Sequence, residues 1–365
     1  MEKLDPWASL DIKDYDKLMK EFGIESFKPL LNKFPKQNFY FTRGIIFGHK
    51  DFQRILDAIK NKKEFVMMTG LMPSGKFHFG HKLVADQMIY YQELGAECYI
   101  AVADIESYLT RGISLEEAKK IAIDEYLINY IALGLKPKNT KFYFQSNGSK
   151  AYMNLSKLIS NKTTFNEVSA IFGDISPAKL VSALTQVADI LHPQLKEHGG
   201  PKPVVVPVGA DQLPHINFTR DIAYKMSREY GFILPSATFN MFIPGLQGGK
   251  MSSSNPLSYI ALTDSPKEVE TKIKKYAFSG GQATIEEHRK KGGSPDIDIS
   301  YQYLRMFFEP DDRKLKKIYD DYKSGKLLTG ELKQILIDKV NLFLKEHQKK
   351  RELAKKDIDK FMFKE

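Results

Sequence analysis

A chain of 365 residues, 42% apolar and 27% charged, has the length for about two domains and the composition of an ordinary soluble globular protein. Its single cysteine, Cys98, excludes a disulfide framework, and no apolar run approaches the ~20 residues of a membrane-spanning helix. The net charge of +10 suits a partner made of phosphates, although solubility alone would also account for it. The first ten residues mix charges without an apolar core of signal-peptide length, so a reducing, cytoplasmic setting with no membrane partner is expected.

In chain order, residues 1–60 carry the only tryptophan, Trp7, and a helical pattern from Asp51 to Ile59. The stretch Phe41–His49 sets glycines and a basic residue among apolar ones and reads as a loop with a buried edge. Phe65 to Met68 is an apolar run that breaks at Gly70, Pro73, Ser74 and Gly75. The chain then restarts on a helical pattern from His78 through Leu83, Val84, Met88 and Tyr91, which predicts strand, glycine loop, helix. A second buried strand, Tyr99–Ala103, ends at Asp104 and Glu106. Ser114 and Glu117 form a capping box for a helix closed by Gly134, and a strand from Lys141 to Gln145 follows. Residues 151–191 read as inserted helices. The alternation resumes with the strand Val204–Val208, which delivers Gly209, Asp211 and Gln212 at its carboxyl end. A helix from about Pro214 to Tyr230 and a strand near Thr238–Ile243 lead into Gly248-Gly249-Lys250-Met251-Ser252-Ser253-Ser254. From Ser265, where Pro266 and Glu268 complete a helix start, the pattern is of basic helices, the last beginning at Thr329.

This alternation predicts an α/β, doubly wound parallel sheet with ligands at the carboxyl ends of its strands, followed by an α-helical domain. The expected boundaries are 1–60 for an N-terminal extension, 61–264 for the sheet domain with its helical insertion near 151–191, and 265–365 for the helical part. The lysines of the last helix suit a solvated face and an RNA-binding one equally well.

The chemistry-bearing stretches are Met68–His81 and Gly248–Ser254. A helix start offers unpaired N–H groups and a positive dipole end to an anion, Gly80 lets a flat ring approach the backbone, and His78 and His81 can donate to phosphate oxygens. Singly, a His-x-Gly-His or a serine-rich loop with a lysine is a weak signal. Together, Pro73-Ser74-Gly75 through His81 and Lys250 to Ser254 resemble the two ATP-binding motifs of class I aminoacyl-tRNA synthetases. Asp5-Pro6-Trp7, Phe41–His49, Ala277–Gly281, Ile285–Arg289 and Leu328–Leu332 resemble the tryptophanyl-tRNA synthetases of archaea and eukaryotes, so that the likeness runs over nearly the whole chain.

That resemblance implies adenylation of L-tryptophan by ATP with Mg²⁺, transfer to tRNA(Trp), and a homodimer whose C-terminal helices meet the anticodon region. It implies catalytic roles for His78, His81 and Lys250. ATP would be held by Pro73, Ser74, Gly75, Gly80, Gly209, Asp211, Met251, Ser252 and Ser253. Glu106, Gln186 and Gln212 match positions that hold the amino-acid ammonium and carboxylate. In the eukaryotic pattern a tyrosine and a glutamine hold the indole nitrogen, but here Met68 and Ala101 stand in those places. Val187-Ala188-Asp189 instead resembles the bacterial tryptophan enzymes, which makes Asp189 the expected indole acceptor. A tyrosine–tRNA ligase and a non-catalytic RNA-binding paralogue are the alternatives. Met68 argues against the first, because a thioether leaves half of a phenol's hydrogen bonding unmet. The intact motif residues argue against the second.

Overall fold

The computed structural model describes residues 15–249, 251 and 255–362. Within them lies a seven-stranded sheet built from β1 (Glu25–Ser26), β2 (Ile46–Lys50), β3 (Val66–Leu71), β4 (Glu97–Val102), β5 (Thr140–Phe144), β6 (Val204–Gly209) and β7 (Ser236–Asn240). The spatial order is β1-β2-β7-β6-β3-β4-β5. The five strands from β7 to β5 run parallel. This is the predicted doubly wound sheet, and its strands are near-continuous apolar runs because helices cover both faces. The registers place Met68 beside Tyr99 and Gly70 beside Ala101, with Ala101 beside Tyr143 in turn.

One edge departs from the expectation. Ile46–Lys50, expected as a loop, is a strand paired antiparallel to β7, and β1 adds to it antiparallel. The edge of β7 would otherwise present unpaired N–H and C=O groups, and the N-terminal residues satisfy them. The motif Asp5-Pro6-Trp7 lies outside the described residues.

Elsewhere the predicted elements hold with local changes. β4 stops at Val102, and Asp104 opens a helix, Asp104–Arg111, that the sequence did not announce. Its acidic first turn complements the positive end of the dipole, and Gly112 at φ 67° ends it. The helix from Ser114 passes through a π-helical stretch, Ala122–Leu127, before Gly134. The 151–191 region holds three helices, Lys150–Leu158, Phe165–Phe172 and Pro177–Leu191. The expected 214–230 helix is Leu213–Lys225 followed by a short Ser227–Tyr230, with Met226 between them at ψ 0°. The Ser265–Glu268 capping box is formed as read.

The described chain divides into two compact units. The first holds the sheet and comprises the residues up to Ser74, then Leu83–Met241, and those from Leu353 onward. The second consists of Gly75–Lys82 and Phe242–Glu352, so Gly75–His81 of the first motif and Gly248, Gly249 and Met251 of the second stretch belong to it. The first unit's core packs the Pro177–Leu191 helix, through Ala183, Val187 and Ala188, against the face of the sheet that carries Met68, Tyr99 and Ala101. In the second unit Phe79 is packed by Tyr303, Phe307, Phe308 and Phe343, with ring centroids 5.1–6.3 Å away. No helix among the described residues is long and apolar enough to cross a membrane.

Candidate active site

The two motif histidines are held from below by backbone. The Gly80 N–H donates to His78 Nδ1 at 3.1 Å, and the His78 N–H donates to His81 Nδ1 at 3.2 Å. Each Nδ1 is therefore an acceptor, which places the proton of each neutral ring on Nε2. The rings stack at 3.9 Å between centroids, and Tyr259 flanks His78 at 4.9 Å. Burial pulls the pKa of His78 well below the ordinary histidine value, with His81 adding to the shift, and burial pulls His81 to about 4. At neutral pH the pair therefore presents two N–H donors and no charge.

Their backbone is fixed within the second unit. His78 bridges Ala261 antiparallel, and the Leu262 N–H donates to the Phe77 carbonyl at 2.9 Å. Asp264 accepts from the Ala261 N–H at 2.9 Å while paired with Lys272 at 2.6 Å, and Gln348 Nε2 donates to the Leu262 and Asp264 carbonyls. Gly80 is needed for closeness. A Cβ there would lie 2.9 Å from His78 Cε1 and 3.5 Å from Met251 Sδ, so the first motif and Met251 of the second are neighbours. Lys250, Ser252, Ser253 and Ser254 lie outside the described residues.

The remaining predicted residues among the described ones, Gly75 apart, lie in the first unit. Pro73 is buried, Ser74 accepts from the Tyr126 hydroxyl through its carbonyl at 3.1 Å, and Gly75, which opens the second unit, adopts φ 68°. Gly209 ends β6, and Asp211 and Gln212 occupy the turn after it, their side chains 3.4 Å apart. Met68 is 1% exposed. Glu106, 5% exposed, accepts from Gln186 Nε2 at 2.9 Å, and burial raises its pKa while Gln186 opposes the shift.

Asp189 is 4% exposed and accepts three hydrogen bonds. The hydroxyls of Tyr143 and Tyr152 donate to Oδ1, each at 2.9 Å, and Gln145 Nε2 donates to Oδ2 at 2.7 Å. None of these three partners was singled out from the sequence. The alternation of Tyr143 and Gln145 at the end of β5 was the available signal, since period two puts both on one sheet face. Gly148 makes room for this cluster, because a Cβ there would meet the Tyr152 ring at 2.1 Å.

Burial lifts the Asp189 carboxyl from 3.8 to about 7, against the pull of Gln145, Tyr143 and Tyr152. Between those values the folded chain keeps a proton that the unfolded chain has released. The contribution of Asp189 to stability is therefore full below about pH 4 and is lost as pH rises through about 7. Compared with Asp189→Asn, the wild-type chain should lose stability across that window, as read from paired denaturation midpoints. A wild-type-to-variant difference that stays flat with pH would contradict it.

Comparison with known proteins gives one consistent result. A family model described as tRNA synthetases class I (W and Y) matches residues 60–345. The tryptophan-tRNA ligase of Aeropyrum pernix is 49% identical over 358 residues, covering 97% of this chain and 96% of that protein. That of Methanocaldococcus jannaschii is 45% identical with the same coverage. The crystal structure of the tryptophanyl-tRNA synthetase from A. pernix superimposes with a TM-score of 0.92 at 48% identity, covering 98% of this chain and 99% of that one.

Proposed function

Because the chain belongs to the class I tRNA synthetases of the W and Y type, we propose that it attaches L-tryptophan to tRNA(Trp) at the expense of ATP. In the first step the tryptophan carboxylate attacks the α-phosphate, forming tryptophanyl-adenylate and releasing pyrophosphate. In the second the acyl group passes to a terminal ribose hydroxyl of the tRNA and AMP leaves.

The observation that carries the adenylation reading is the tautomer of the histidine pair. Two backbone N–H groups occupy the Nδ1 atoms, so both Nε2–H groups are donors suited to phosphate oxygens. A carboxylate is already ionised at neutral pH, and the reaction needs no side-chain nucleophile. What it needs is alignment of the reactants and donors where charge develops. His78, His81 and Lys250 take that role, with Ser252 and Ser253 as further donors. Pro73, Ser74, Gly75, Gly80, Gly209 and Met251 shape the nucleotide site, and Asp211 accepts from the ribose hydroxyls. Glu106, Gln186 and Gln212 hold the amino-acid ammonium and carboxylate, and Met68 and Asp189 shape the side-chain pocket.

Mg²⁺ would enter with ATP. His78 and His81 fit donors to phosphate rather than ligands to a metal, since both imidazole acceptor atoms are capped by backbone N–H, so the ion would be held mainly by phosphate and water oxygens. The exposed Lys345, Lys349 and Lys350 of the Thr329–Ala354 helix suit the tRNA backbone. By the same family reading, residues 265–365 form the anticodon-binding part, 61–264 the catalytic part and 1–60 an extension, in a cytoplasmic homodimer.

Pyrophosphate exchange with each of the twenty amino acids tests the proposal. Tryptophan alone should support exchange. Exchange driven by tyrosine would hand the chain to the sister specificity, and no exchange with any amino acid would leave a non-catalytic RNA-binding protein.

A further inference from the structure

An indole presents one N–H donor and no conventional acceptor, so its pocket needs one acceptor aimed at the ring edge. Two buried acceptors of the Asp189 cluster are candidates for it. Asp189 already accepts three hydrogen bonds, two of them on Oδ1 and one on Oδ2. Gln145 is 1% exposed, and its Oε1 has no hydrogen-bond partner among the described residues.

A buried acceptor left unpaired costs roughly 1–3 kcal/mol, so a native site that keeps one calls for a reason. The orientation of this amide is not free. Nε2 donates to Asp189 Oδ2 at 2.7 Å, so Oε1 faces away from that carboxyl. The next residue fixes the backbone: the Ser146 N–H donates to Asp104 Oδ1 at 3.1 Å, and its hydroxyl donates to Asp104 Oδ2. On the neighbouring strand Ala101, whose side chain is a single methyl, pairs with Tyr143.

We propose that Gln145 Oε1 accepts the indole N–H of tryptophan, and that Asp189 is a positioning residue that turns the Gln145 amide toward the substrate. The proposal deepens the tryptophan reading above and rests on it. It moves the indole contact from Asp189 to a residue on an adjacent element.

The test is selectivity between tryptophan and 3-benzothienyl-alanine, the analogue with sulfur in place of the ring N–H, measured by pyrophosphate exchange. Wild-type protein should prefer tryptophan by about 10- to 10²-fold in kcat/KM, the range expected for one hydrogen bond in a dry pocket. Gln145→Met keeps the length and removes the amide oxygen, and should bring that preference to within about threefold, chiefly through KM for tryptophan. Gln145→Glu keeps an acceptor oxygen at the same reach and should recover it. If Gln145→Met retains the wild-type preference, Asp189 is the acceptor and the proposal is overturned. Loss of the preference in both variants alike would overturn it in favour of a structural role. Should Gln145→Met melt below the assay temperature, Gln145→Leu, which also lacks the amide oxygen, takes its place, lost preference supporting the assignment and retained preference overturning it. A wild-type protein that activates tyrosine and not tryptophan would defeat the underlying reading instead, and the wild-type amino-acid screen separates that outcome from a failure at Gln145.

Discussion

Asp189→Ala should lower kcat/KM for tryptophan by about 10²-fold while leaving KM for ATP within about a factor of two, the size of effect expected when buried donors lose the acceptor they share. The alanine takes away the acceptor that three buried donors share: the hydroxyls of Tyr143 and Tyr152 and the amide of Gln145. Each donor then has to find a new partner or stay unpaired in a site from which water is largely excluded. The side chain most free to respond is Gln145, whose amide is no longer turned by the carboxylate. Loss of activity through this route has a signature. Asp189→Ala and Gln145→Met should be strongly non-additive, the double variant losing little more than the worse single one, because both act on one contact. Additive losses in the cycle, with thermal melting unchanged, would place Asp189 and Gln145 in separate roles.

The difference between what the sequence disclosed and what it hid at this site follows from the range of the interactions. The strand, glycine loop and helix around Met68–Tyr91 were legible because an apolar run, turn residues and helical periodicity sit within a few positions of one another. The Ser265–Glu268 start was legible for the same reason, its cap being closed between residues three apart. The Asp189 cluster is different in kind. Its partners lie 37, 44 and 46 positions away, and only the packing of the Pro177–Leu191 helix beside the end of β5 and the Lys150–Leu158 helix brings them together. The support of His78 by Ala261, Asp264 and Gln348 is longer in range still. Local pattern also failed for β2, where Gly48 and His49 mask a strand that exists because the edge of β7 needs a partner. It failed for Asp104–Arg111, an eight-residue helix too short to show a periodicity of its own.

His81→Ala should reduce the single-turnover rate of adenylate formation by roughly 10²- to 10³-fold, the cost typical of deleting one preorganised donor to a developing oxyanion, with little change in KM for tryptophan. The side chain does two things that alanine cannot. Its Nδ1 accepts from the His78 N–H at 3.2 Å, and this leaves Nε2–H as a donor fixed in direction by the stacked His78 ring at 3.9 Å. The charge state adds a second, independent check. Burial pulls the His81 pKa to about 4, so the ring works as a neutral donor, and raising the pH from 6 to 8 neither creates nor removes a charge on it. The ratio of wild-type to His81→Ala rates should therefore stay constant over that range and fall only under more acid conditions, as the wild-type ring becomes protonated. A ratio that instead titrates near the ordinary histidine value of about 6.5 would mean that the working form is the imidazolium, contrary to the burial of the pair.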